Sequence, residues 1–160
     1  MIGFALALLV ATSCPVTKPN GVTARVIEYD AVPSPTSHGN AELSVGPFGL
    51  RRGGGPIVFK PGGAGFVTRG GSLGMKFGWL IAVSGPFKVG GRRLDAPAPP
   101  LWAESATGQP VTRGFHPTAL IFPTPGCWEV TGRVGDVSLT FVVNVEKIGE
   151  GPSWHRDELP

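Results

Sequence analysis

Glycine and proline interrupt this chain so often that no long helix can run through it. There are 25 glycines and 17 prolines in 160 residues. Each glycine costs an interior helical position about 1 kcal/mol and each proline about 3 kcal/mol. A helical bundle is therefore excluded. An unfolded chain is excluded by the rest of the composition. Hydrophobic residues make up 41% and charged residues only 16%, the reverse of the balance that leaves a chain without a core. What remains is a single all-β domain of ordinary size.

Short apolar segments separated by turn signals give the strands. The candidates are 41–45, 57–60, 73–83, 85–89, 101–105, 118–122, 127–134 and 137–147, with a weaker one at 22–29. Gly53-Gly54-Gly55, Pro61-Gly62-Gly63, Gly70-Gly71 and Gly90-Gly91 punctuate them. Regular spacing of this kind predicts an antiparallel sandwich or barrel. The last segment is the clearest. Val137, Leu139, Phe141, Val143 and Val145 alternate with Ser138, Thr140, Asn144 and Glu146, and only Val142 breaks the pattern. Period two marks a strand buried on one face. The preceding segment alternates as well, which places Trp128 inward and Cys127 outward unless a bulge shifts the register.

Pro125-Gly126-Cys127-Trp128-Glu129-Val130-Thr131, followed by a hairpin, resembles the last two strands of immunoglobulin-like bacterial sandwiches. The wider stretch from Phe59 to Val145 is similar to a group of uncharacterised exported bacterial proteins, lipoproteins among them. It carries Pro61-Gly62-Gly63, the run from Gly71 to Phe77, the proline-rich run from Gly91 to Pro100, and the run from Phe122 to Glu129. The resemblance implies an immunoglobulin-like β-sandwich at the cell envelope. No activity comes with it.

The N-terminus points to export. Ile2 to Thr12 is almost wholly apolar, too short for a bilayer-spanning helix of about 20 residues but suited to a signal segment. Residues 1–13 are read as that signal, 14–40 as a flexible Pro/Ser-rich leader, 41–148 as the β-sandwich and 149–160 as a flexible tail. Val10-Ala11-Thr12-Ser13-Cys14 resembles a bacterial lipobox, with Ala11 where those precursors carry Leu. That resemblance implies a lipidated Cys14, with the membrane as partner through the anchor. The two cysteines leave a second option, a Cys14–Cys127 disulfide in an oxidising compartment. Neither option leaves the four ligands of a structural zinc site, and no cofactor is expected.

Charge is concentrated in the middle of the chain. Nine Lys/Arg lie between Arg51 and Arg113, against Asp95 and Glu104. An acidic polymer or anionic headgroup would suit such a segment. Arg51-Arg52 and Arg92-Arg93 are too short to form nucleic-acid patches. Four tryptophans are many for this length. Trp128 reads as core. Trp79 and Trp102 beside Arg92 and Arg93 would make a stacking surface for glycans or anionic polymers if exposed. Catalytic signals are sparse. Ser84 lacks the Gly-x-Ser-x-Gly elbow, and a Ser84–His116–Asp95 triad rests on residue types alone. Two readings follow: a non-enzymatic binding module at the envelope, for an envelope protein or an anionic or glycan ligand, or a small envelope hydrolase with a loop-built site around His116.

Overall fold

The computed structural model describes residues 13–26, 34–46 and 49–156. Twelve strands run through these residues: β1 (His38–Gly39), β2 (Leu43–Val45), β3 (Ile57–Phe59), β4 (Phe66–Thr68), β5 (Leu73–Ile81), β6 (Gly85–Arg93), β7 (Trp102–Glu104), β8 (Thr107–Val111), β9 (Gly114–Phe122), β10 (Gly126–Val134), β11 (Val137–Lys147) and β12 (His155–Arg156). One 3-10 turn, Arg52–Gly54, is the helical element among the described residues. The all-β expectation holds.

Two sheets pack face to face. The first runs β1-β2-β5-β4-β12, with β9 along the other edge of β5 and β7 beyond β9. The second runs β3-β11-β10-β6-β8. Inner side chains from both sheets form one core, because each strand turns every second residue toward the other sheet. Trp79 lies against Phe87 (5.6 Å between ring centroids) and Phe141 (5.9 Å), and Phe122 against Trp128 (5.8 Å). Gly132 faces Trp79 so closely that a β-carbon there would sit 2.5 Å from the indole. The glycine is what lets β10 pass the largest core ring.

Several strands differ from the sequence expectation. β11 matches it, residue for residue. β6 continues through Gly90-Gly91, read above as a turn, to Arg93. The 106–114 segment, where no strand candidate fell, holds β8, which contains Pro110. Proline is tolerated there because β8 is an edge strand. Strand β4 and the two-residue β1 and β12 were too short to leave a periodic signal. Residues 22–26 form no strand, and 27–29 of that candidate lie outside the described residues.

The flexible leader is corrected over its described part. Cys14 is disulfide-bonded to Cys127, 113 residues away, with 5.5 Å between Cα atoms. The Thr17 amide donates to the Val142 carbonyl (2.9 Å), and the Val142 amide donates to the Thr17 hydroxyl (2.8 Å). Strand β3 covers the edge of β11 only at Val145–Lys147, so residues 14–17 cover the same edge farther along. Ala24 and Val26 are buried beside Leu80 on the outer face of the first sheet. The tail is corrected too. Strand β12 pairs in parallel with β4.

The disulfide also settles the two cysteine questions. Cys127 does take the outward register, opposite Asn144, yet it is as buried as Trp128. The residues bridged to it cover that patch of the sheet's outer face. A sulfur bonded to another sulfur has no valence left for a lipid thioether. The structure therefore holds the second of the two options for Cys14, the disulfide, and a lipid thioether on the same sulfur would require that bond to be open.

Candidate functional site

The first sheet has a break in one edge. β9 pairs with β5 along its full length, from Leu73 to Ile81. On the opposite edge β2 takes Trp79–Ile81 and β4 takes Leu73–Gly74. Between them, Met75–Phe77 has no strand partner on this edge among the described residues. A cleft of about 740 Å³ opens beside this break, within the size range of small-molecule sites.

Its floor is apolar and its rim is cationic. Leu50, Phe66 and Met75 are buried at its base, and Arg51, Arg52 and Lys76 are exposed around it. Gly65 makes the corner into β4 at φ +96°, where a side chain would meet the Phe59 ring and the Gly74 carbonyl. Trp154 closes one side. It is 57% exposed and stands edge-on to Phe66, with centroids 5.4 Å apart. Phe66 can lie flat across β5 because its neighbour there, Gly74, has no side chain.

An ion pair holds this wall in place. The Arg156 guanidinium sits 4.8 Å from the Phe66 ring centre and donates two hydrogen bonds to Glu104, at 2.9 and 3.0 Å. The bidentate geometry is the strong form of this pair. Arg156 hydrogen bonding holds the Glu104 carboxyl below its ordinary value, against a smaller opposing effect of burial, and raises Arg156 in turn. Lys76 adds a further Coulombic pull on Glu104. Among the described residues, no carboxylate lies within 4 Å of Arg51, Arg52 or Lys76. Arg51 and Arg52 thus face the cleft with no ion pair among the described residues, and Lys76 shares the field of Glu104 with Arg156.

The expected stacking surface is not assembled. Trp79 is wholly buried, its indole N–H donating to the Thr118 hydroxyl at 3.1 Å. No face of its ring is open to a ligand. Trp102 lies on the outer face of the first sheet, packed against Phe66, Ala119 and Ile121. Arg93 is engaged by Asp95 (2.7 Å) and Thr124 (3.1 Å), and Asp95 also accepts the Cys127 amide at 3.1 Å. That bonding holds the Asp95 carboxyl below its ordinary value, with the Arg93 hydrogen bond the largest cause. Arg92 is 73% exposed and pairs with Glu129 at 2.9 Å on the second sheet. Trp79, Trp102, Arg92 and Arg93 therefore do not meet in one site.

The triad is not brought together either. Ser84 precedes β6 and Asp95 follows it. Nine residues of strand separate them, about 30 Å. His116 sits on β9 opposite Trp79, hydrogen-bonded through Nε2 to the Thr112 carbonyl at 2.7 Å, with its ring 6.2 Å from Phe87. Among the described residues, no three His, Cys, Asp or Glu side chains gather where they could hold a metal ion.

Sequence reasoning missed Phe66, Lys76 and Trp154, and set Arg51 and Arg52 aside. The usable signal was the Arg51-Arg52 pair ahead of a glycine turn. A tryptophan in a polar tail gave no hint that the tail returns to the sheet.

No protein-family model and no curated protein matches the chain. Among solved structures it is similar to a crystal structure described as a "putative lipoprotein" from Bacillus anthracis, at 12% identity and a TM-score of 0.42, covering 80% of this chain and 88% of that one. Likeness of that degree bears on neither location nor activity.

Proposed function

We propose that this chain is an exported, non-enzymatic binding domain of the cell envelope, of the immunoglobulin-like sandwich class, and that the cleft beside Trp154 is its site. The ligand is an amphipathic anion: an apolar body with a phosphate or carboxylate head. The observation that carries the reading is the cleft's division of labour, with an apolar floor at Leu50, Phe66 and Met75 under a rim of three cations, Arg51, Arg52 and Lys76. The floor gains from covering apolar area, at about 25 cal/mol per Å². Each rim cation contributes on the order of 1–4 kcal/mol within 4 Å of a ligand charge. Export is supported by the apolar N-terminal run and by a disulfide, which persists in oxidising compartments.

The test is calorimetry on the oxidised protein with dodecyl phosphate, using dodecanol and inorganic phosphate as half-ligand controls. One dodecyl phosphate per chain is expected, with neither control saturating. Arg51→Glu together with Arg52→Glu should weaken binding at least tenfold, and Trp154→Ala severalfold. Equal binding by the double variant, or no saturable binding, would overturn the reading. For location, intact mass after fractionation of a bacterial host should give an exported species two mass units below the reduced form.

A further inference from the structure

The second sheet carries a groove of its own, far from the cleft in the fold. It crosses the outer face of β6 and β10 and has a volume of about 370 Å³. Lys88, Gly90 and Arg92 project from β6, and Arg133, Thr131 and Glu129 stand directly opposite them on β10. Two features of it are unexplained by folding.

The first is Gly90. Glycine inside a strand costs roughly 0.5–1 kcal/mol and needs a reason. Every other glycine of β5, β6 and β10 has one. Gly74, Gly78, Gly91 and Gly132 face atoms that a β-carbon would strike, and Gly85 and Gly126 have positive φ. A β-carbon on Gly90 would meet nothing within 4 Å, and its φ is ordinary for any residue. The fold gains nothing from its bareness. A glycine inside a strand marks a bulge, a bend or the close approach of a ligand or another chain, and the register shift of β6 against β8 lies earlier, between Phe87 and Lys88.

The second is the charge arrangement. Lys88 and Arg133 are cross-strand neighbours, and like charges placed opposite one another destabilise a sheet. No carboxylate among the described residues lies within 4 Å of either. Arg92, four residues along β6 from Lys88, is already paired with Glu129. An anionic group between Lys88 and Arg133 would remove the repulsion.

We propose that this groove binds a linear acidic polysaccharide, with one sugar ring lying flat over Gly90 and its carboxylate between Lys88 and Arg133. The lining has no apolar side chain, so it lacks the anchors that a protein partner requires and the stacking rings that single-stranded nucleic acid requires. Its floor instead offers a hydroxyl. Thr131, which shares a hydrogen bond of 2.8 Å with Thr140 on β11, keeps capacity for a further hydrogen bond to a polyol. Lys88 to Arg92 spans about 13 Å along the strand, room for more than one sugar unit.

The test uses the whole oxidised protein and polygalacturonate, with dextran as the uncharged control. Saturable binding to polygalacturonate and none to dextran is expected, weakening at least tenfold when salt is raised from 50 to 500 mM. Gly90→Val is the decisive variant. It should leave the melting temperature unchanged or raise it, because valine suits a strand and its β-carbon meets no atom within 4 Å, and it should reduce binding at least tenfold. Lys88→Ser should lose binding likewise, whereas the Arg51→Glu/Arg52→Glu protein should bind normally. Wild-type binding by Gly90→Val, a clear drop in its stability, or equal binding of dextran would each overturn the proposal. Loss of binding in the Arg51/Arg52 variant would assign the polymer to the cleft instead.

Discussion

The two ends of the described chain were both expected to hang free, and both lie on the domain. They are held in different ways. The N-terminal segment is fixed by a covalent bond from Cys14 to Cys127 and by reciprocal hydrogen bonds between Thr17 and Val142. The C-terminal segment is fixed by two residues of parallel pairing, an edge-on contact between Trp154 and Phe66, and the Arg156–Glu104 pair. The first attachment contains no group that titrates in acid and yields to reductant. The second yields to acid and is indifferent to reductant. The permanent one covers a strand edge, where exposed peptide groups invite association with other chains. The reversible one forms a wall of the proposed site, where some movement is useful.

The largest effect should come from removing the covalent tie. Replacing Cys14 and Cys127 together by Ser frees a loop of more than 100 residues in the unfolded chain, worth about 2–5 kcal/mol on the chain-entropy account. The melting temperature should fall by roughly 5–15 °C for a domain this size. Added reductant should do the same to the native protein and nothing to the variant. An unchanged melting temperature would mean that the remaining contacts of residues 14–17 suffice. Thr17→Val sharpens the point. It removes the hydroxyl that accepts the Val142 amide and should cost about 1 kcal/mol in denaturant unfolding, more in the cysteine-free protein than in the native one.

The smallest effect belongs to the other end. The Glu104 carboxyl is held below its ordinary 4.5, first by hydrogen bonds from Arg156. A depressed carboxylate contributes stability that is complete above the unfolded value and fades as pH falls through the folded one. The contact should therefore be intact at neutral pH and lost well below pH 4.5. Because both side chains are partly exposed, global stability should change by under 1 kcal/mol. The local readout is clearer. Trp154 emission should shift to the red in acid, and Glu104→Gln should show that shift already at pH 7. A tryptophan signal flat across this range would detach Trp154 from the ion pair.

The same contrast explains what was legible in the residues. β11 could be read because one of its faces meets the core and the other meets water, so its sequence alternates. β5 could not be read in that way. Gly78 and Leu80 on its outer face are buried by Phe115, Ala24 and Val26 as Trp79 is by the core. Its nearly continuous apolar run therefore said nothing about which face Trp79 takes. Arg92 and Arg93 drew attention as a cationic pair, but adjacent strand residues point to opposite faces, and each found an acidic partner of its own. The rim cations, Arg51, Arg52 and Lys76, reach the cleft from a loop and a strand well separated in sequence. Trp154 joins them through a two-residue strand that no periodicity could announce.

The single disulfide also sets an order of events during synthesis. Cys14 leaves the ribosome 113 residues before Cys127, an interval on the order of 10 s at ordinary elongation rates. Throughout that time the chain carries one thiol and no internal partner. With only two cysteines in the sequence, the chain cannot mispair with itself, so its competitors are a second nascent copy or a small-molecule thiol. The staple is thus a proofreading mark: a molecule that bears it has had both ends of its sandwich present at the same moment.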